Sequence, residues 1–156
     1  MVVVAALFVP FMLASRKFGI FPAVHSVERS TLGEVYFPLG VGLAAALVPS
    51  AVPYTFGVLV MALSDAFASL AGRRWGKRKY SVFRADKTLL GSGVFLASTV
   101  VLTLGALALG GRLTAGSVAA GLALALGLTI VEGVLAGGID NVVLPVAGAA
   151  LLALIT

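Results

Sequence analysis

The chain has 156 residues, 60% hydrophobic and 11% charged, and its 11 basic and 6 acidic side chains give a net charge of +5. Soluble domains carry about 25% charged residues, so this composition excludes an ordinary water-soluble globule and makes lipid the expected solvent of a single domain spanning residues 1–156. The absence of cysteine excludes disulfides and thiolate chemistry, and the single histidine, His25, excludes a multi-histidine zinc site, leaving Asp, Glu, Lys, Arg, Ser and Thr, which suit phosphate and hard-cation chemistry.

Six apolar segments follow one another: Val2–Ala14, Val35–Val48, Tyr54–Ala71, Leu89–Leu109, Thr114–Ala136 and Ile139–Ile155. Unpaired backbone amides are intolerable in hydrocarbon, so each is expected to be helical. The segments are continuous, unlike the alternating strands of a membrane β-barrel. The expected fold is therefore an all-α polytopic membrane bundle of about six transmembrane segments.

No Lys or Arg precedes the first segment, so it lacks the basic region of a signal peptide. It is also short of the roughly 20 residues that a span needs, which fits a shallow or tilted segment or a lost upstream helix. The loop Ser15–Glu34 carries Arg16, Lys17 and Arg29. His25 reads as a surface histidine, Thr31 with Glu34 as a capping box, and Tyr36 and Phe37 as interfacial anchors. Pro49–Pro53, Gly110-Gly111-Arg112 and Gly137-Gly138 mark turns.

Charge placement predicts orientation. The loop Gly72–Thr88 holds Arg73, Arg74, Lys77, Arg78, Lys79, Arg84 and Lys87, and with six spans it shares a side with Ser15–Glu34. That side carries every basic residue except Arg112, so it is expected to face the cytoplasm, with both termini outward. The acids fall near the same face. Asp65 stands about two turns above the end of the third segment, Glu132 just over one turn above the end of the fifth, and Asp140 opens the sixth beside Asn141.

A carboxylate inside a span costs about 2.5–3.5 kcal/mol on insertion scales, so Asp65 and Glu132 are expected to serve function or to pair with a cation. The small residues Ala68, Ser69 and Gly72 give the Asp65 face a low profile. Glu132 has competing readings as a snorkelling acid and, through Gly133 and Gly137, as part of a close helix contact. Asp140 alone reads as a helix cap; opposite Asp65 and Glu132 it becomes, with Asn141, a candidate ligand for Mg²⁺.

The basic loop could be a topology signal or a patch for anionic headgroups. Gly72 and Gly76 add the possibility of backbone amides approaching phosphate. It is not a Walker A loop, because three residues separate Gly72 from Gly76 where that motif has four, and Arg78 replaces the required Ser or Thr. Lys87, before Thr88, Gly91 and Ser92, could aim an ammonium at a phosphate.

Four blocks together resemble the polyprenol kinase family of membrane lipid kinases, which includes dolichol kinase and phytol kinase. They are Glu28-Arg29 through Gly33–Gly40, Asp65–Gly76, Lys87–Ser92, and Val131-Glu132 with Asp140–Pro145. The resemblance implies CTP as phosphate donor, a lipid alcohol as acceptor and Mg²⁺ or another divalent cation. It implies catalytic roles for Asp65, Lys87, Glu132 and Asp140, with Asp65, Asp140, Asn141 and Glu132 as metal candidates. Gly72, Arg73, Arg74, Gly76, Lys77, Lys79, Lys87, Thr88, Gly91 and Ser92 would bind the nucleotide. Relatives carry further N-terminal segments with a basic, histidine-containing stretch, which Arg16-Lys17 and His25 do not reproduce.

The chain is more distantly similar to the CTP-dependent phosphatidate cytidylyltransferases, but lacks their Lys-Asp and glycine-histidine-glycine-rich signature near the C-terminus. The expectation is an integral membrane enzyme, in the cytoplasmic membrane if the source is prokaryotic, with no nucleic-acid partner. A homodimer is one way for so small a bundle to close its lipid pocket. The alternatives are cytidylyl transfer to phosphatidate and, outside enzymes, a small ion-coupled transporter; acids lying toward one side and the lack of a visible internal repeat argue against the latter.

Overall fold

A computed structural model describes residues 10, 33–82 and 85–156. The first apolar segment and the readings of Arg16, Lys17, His25, Arg29, the Thr31–Glu34 box and Arg84 lie outside the described residues.

Among the described residues the order is α1 (Gly33–Leu47), α2 (Ala51–Leu59), a π-helical turn (Val60–Ser64), α3 (Asp65–Trp75), β1 (Lys79–Val82), β2 (Ala85–Thr88), α4 (Leu89–Leu109), α5 (Ala115–Val134) and α6 (Asp140–Ala153). Three helical stretches are long and apolar enough to cross a membrane: the continuous run Ala51–Trp75, α4 and α5. α1 and α6 are shorter apolar helices. Among the described residues, full-length spans therefore account for three of the five expected segments that fall there.

Several boundaries follow from local chemistry. Thr88, extended at the start of α4, accepts a hydrogen bond from the Gly91 amide at 3.0 Å. Thr114 and Ser117 form a reciprocal capping box for α5. The turns after α4 and α5 use left-handed glycines, Gly111 at φ 64° and Gly137 and Gly138 at φ 74° and 91°, a region where a Cβ is strained.

Two features depart from the sequence reading. The third segment does not stop at Ala71 but runs from Ala51 to Trp75. Arg73 and Arg74 lie in its last turn, where cations favour the helix dipole, and Arg73 Nε donates to the Ser69 carbonyl at 3.3 Å. Asp65 is thus ten residues, about 15 Å of helical rise, from the helix end, farther than the two turns expected. Beyond the irregular Gly76–Arg78, much of the basic loop is ordered as strand. Lys79–Val82 and Ala85–Thr88 pair as an antiparallel hairpin with Tyr80 opposite Lys87.

The helices pack around α4 and α6. α3 and α5 flank α4, while α1, α2 and α5 surround α6. The core is a continuous set including Phe56, Val60, Met61, Phe95, Leu107, Leu128, Leu144 and Leu152. Helices approach most closely where side chains vanish: an added Cβ at Gly57 would overlap the Pro145 carbonyl, and one at Gly121 would stand 2.7 Å from Thr103 Cγ2. Large apolar side chains including Leu47, Phe67, Leu70, Val101, Leu126 and Ile130 remain exposed. With three membrane-length helices, that outer belt marks a membrane protein.

Candidate active site

One face of α3 from Asp65 to Arg73, the hairpin, the start of α4, the end of α5 and the start of α6 line one cavity of about 660 Å³. Its charged lining consists of Asp65, Asp86, Glu132 and Asp140 with Arg73, Lys79 and Lys87. All four acidic residues whose side chains are described therefore meet in this one cavity.

Glu132 is the most buried of them, 3% exposed near the end of α5. Its Oε1 accepts from Lys87 Nζ, an ion pair that ties β2 to α5. Its Oε2 is buried with no hydrogen-bond partner among the described residues. Burial alone would lower the pKa of the Lys87 ammonium. The hydrogen bond and charge of Glu132, with the charges of Asp65 and Asp140, outweigh that and hold it above its ordinary value. Lys87 is therefore cationic at neutral pH.

Asp65 faces the same cavity from α3, half-buried and within electrostatic reach of Asp140, Lys87 and Glu132. No hydrogen bond or ion pair engages its carboxylate among the described residues. Asp140 Oδ1 accepts the Asn141 amide at 3.1 Å. The N-cap of α6 is Ile139, which makes no side-chain cap, so Asp140 belongs to the first helical turn. Asp65 and Asp140 are the half-buried carboxylates left to a cation. No group of three His, Asp or Glu that could hold a metal forms among the described residues.

The predicted nucleotide residues divide. Gly72, Arg73, Gly76, Lys79, Lys87, Thr88, Gly91 and Ser92 line the cavity, whereas Arg74, Lys77 and the metal candidate Asn141 do not. Arg74 instead lies over the Trp75 ring, 5.2 Å from its centroid.

Gly72 and Gly76 have a packing role that spacing did not reveal. An added Cβ at Gly72 would stand 2.6 Å from Thr88 Oγ1, and one at Gly76 would stand 2.7 Å from Thr88 Cγ2. The Gly76 amide is already donated to the Gly72 carbonyl at 3.0 Å, so it is not a free donor for phosphate. Ser92 Oγ shares a 2.6 Å hydrogen bond with the Tyr80 hydroxyl.

Tyr80 and Asp86 are the residues that sequence reasoning passed over. The signal was the alternation along Lys79-Tyr80-Ser81-Val82, with every second side chain more buried. The density of charge around it obscured that period.

The chain is similar to phytol kinase from Synechocystis sp., with 32% identity over 92 residues, 57% of this chain and 40% of that protein. It thus spans about two-fifths of the length of that curated relative. No solved structure matches the chain, and no protein-family model matches it.

Proposed function

We propose that the protein transfers a phosphoryl group from CTP to a membrane lipid alcohol of the phytol, polyprenol, dolichol or diacylglycerol type, at the cytoplasmic interface. The observation that carries this reading is the joint placement of Asp65 and Asp140 against Arg73, Lys79 and Lys87 in one cavity lined from all three membrane-length helices. Similarity to a phytol kinase supports a lipid alcohol as acceptor.

Phosphoryl transfer asks mainly for positioning and charge neutralisation, and each group has a part in it. A lysine ammonium has three donors; Glu132 takes one of Lys87, leaving two for phosphate oxygens. Arg73 and Lys79, both exposed at the rim, draw the polyphosphate in. Asp65, free of hydrogen bonds and ion pairs among the described residues, receives the alcohol proton. The alcohol enters laterally, its tail lying along the exposed apolar belt.

The donor set fits Mg²⁺ in its usual mode, one or two carboxylates with substrate phosphates completing the shell; Asp140 would hold it, leaving Asp65 to the alcohol proton. When bound it would supply positive charge to the transferring phosphate oxygens.

The test supplies the reconstituted protein with CTP labelled in the α or γ phosphate, Mg²⁺, and a panel of phytol, longer polyprenols, diacylglycerol and phosphatidate. CDP with a γ-labelled lipid phosphate is the expected product pair. Pyrophosphate with an α-labelled CDP-lipid would replace the kinase with a cytidylyltransferase, and no turnover of any pair would overturn the enzyme assignment.

A further inference from the structure

The hairpin is tied to the membrane helices at two points that lie side by side. Tyr80 and Lys87 are directly opposed across the β1–β2 ladder, and opposed residues project from the same face of a hairpin. Lys87 reaches Glu132 on α5. Tyr80 reaches Ser92 in the first turns of α4, with a 2.6 Å bond between hydroxyls. The Tyr80 oxygen also rests on Gly133, the neighbour of Glu132, where an added Cβ would stand only 2.9 Å away. One aromatic side chain therefore touches both helices that bracket the Lys87–Glu132 pair, and only glycine at 133 leaves room for it.

We infer that Tyr80 is a positioning residue: its hydroxyl, bonded to Ser92, fixes the hairpin on the ends of α4 and α5 and thereby holds Lys87 at the cavity wall beside Glu132. The four-carbon stem of lysine has no fixed direction of its own. A strand seated by a second, rigid contact supplies that direction. Toward phosphate, the consequence rests on the kinase reading; the seating of Lys87 does not.

The experiment uses the full chain reconstituted in phosphatidylcholine vesicles, without substrate, and a water-soluble amine-acylating reagent. Peptide mass spectrometry follows labelling of Lys87, with exposed Lys77 as internal reference. Tyr80→Phe and Ser92→Ala each remove the hydroxyl bond, and each is expected to speed Lys87 labelling about five-fold relative to Lys77. That is the population shift governed by one hydrogen bond of ordinary net strength. The double variant exceeds neither single one, and Ser92→Thr, which keeps a hydroxyl, labels like the wild type. In CTP turnover, Tyr80→Phe, a residue outside the cavity lining, raises the KM for CTP by a similar factor and leaves the KM for the alcohol unchanged.

Unchanged Lys87 labelling in both Tyr80→Phe and Ser92→Ala would overturn the inference, even with CTP turnover intact. The expected labelling pattern in a protein that turns over no CTP would uphold the tether and remove the kinase assignment alone.

Discussion

Replacing Lys87 with methionine tests the central ion pair. The Glu132 side chain retains 4% exposure and that of Lys87 21%. Glu132 Oε2 already lacks a partner among the described residues, so Lys87 is the contact compensating a carboxylate taken out of water. Removing one member of a buried pair costs about 3–5 kcal/mol, because the remaining charge stays desolvated. Lys87→Met should cost an amount in that range. Glu132→Gln is the milder change: the stranded ammonium is partly exposed and can bend toward water, so the loss is about 1–2 kcal/mol. The double variant Lys87→Met/Glu132→Gln leaves no buried charge and should be more stable than Lys87→Met alone. Unfolding in detergent micelles, followed by the helical signal, measures all three. Equal losses in the two single variants would refute the argued asymmetry, and a double variant that loses their sum would refute the reasoning by showing that the two side chains are not coupled.

Three further outcomes follow from the same geometry. Asp65→Asn should abolish turnover while the protein unfolds no more easily than wild type, because it removes a charge that faces Asp140 and Glu132; the activity assay read beside the unfolding curve checks both parts. Lys87 is held above its ordinary 10.5, so the stability it contributes is fully present below that pH and is lost as pH rises through its higher folded-state value. Wild-type unfolding curves should therefore weaken above about pH 10.5 with a component absent from Lys87→Met. Finally, Gly57→Ala should destabilise by about 1–3 kcal/mol by overpacking α2 against the Pro145 carbonyl, whereas Gly127→Ala, facing open space, should be neutral or gain about 0.5–1 kcal/mol, as micellar unfolding will show.

How far the sequence carried depends on what each feature needs. The Leu89–Leu109 helix coincides with the apolar run read from the chain, because polar Thr88 and the Gly110-Gly111 pair punctuate it on both sides. α5 instead ends at Val134 with Leu135 extended as its C-cap, ahead of the turn that Gly137 and Gly138 make, so those glycines do not end the helix as the sequence suggests. The π-helical turn at Val60–Ser64 had no such marker: Val60–Leu63 are apolar residues common in helices, and the Asp65 amide reaches the Val60 carbonyl only in the folded run. Convergence of the acids was legible only in part, since Glu132 and Asp140 stand near one end of an apolar segment whereas Asp65 lies ten residues inside its helical run. The partnership of Lys87 with Glu132 was not. It joins residues 45 apart, and any of seven cations in that stretch was an equal candidate until the strand register singled one out.

The glycines show why pattern alone misdirects at this site. Spacing in the basic stretch suggested that Gly72 and Gly76 exist to bare their amides to phosphate. Their lack of a Cβ is used instead by Thr88, which packs against both and at the same time caps α4 through the Gly91 amide. One turn deeper, an added Cβ at Gly91 would stand 3.0 Å from the Ala68 carbonyl, so α3 and α4 stay in close contact down to the level of Ala68. Asp65 lies one turn beyond Ala68 on the same helix face, and Lys87 immediately precedes the cap. The separation of Asp65 on α3 from the Lys87 ammonium on β2 is thus set by helix packing through Thr88, Gly91 and Ala68. These glycines serve the site by fixing that separation, and any phosphate bound there is met by the charges they bring together.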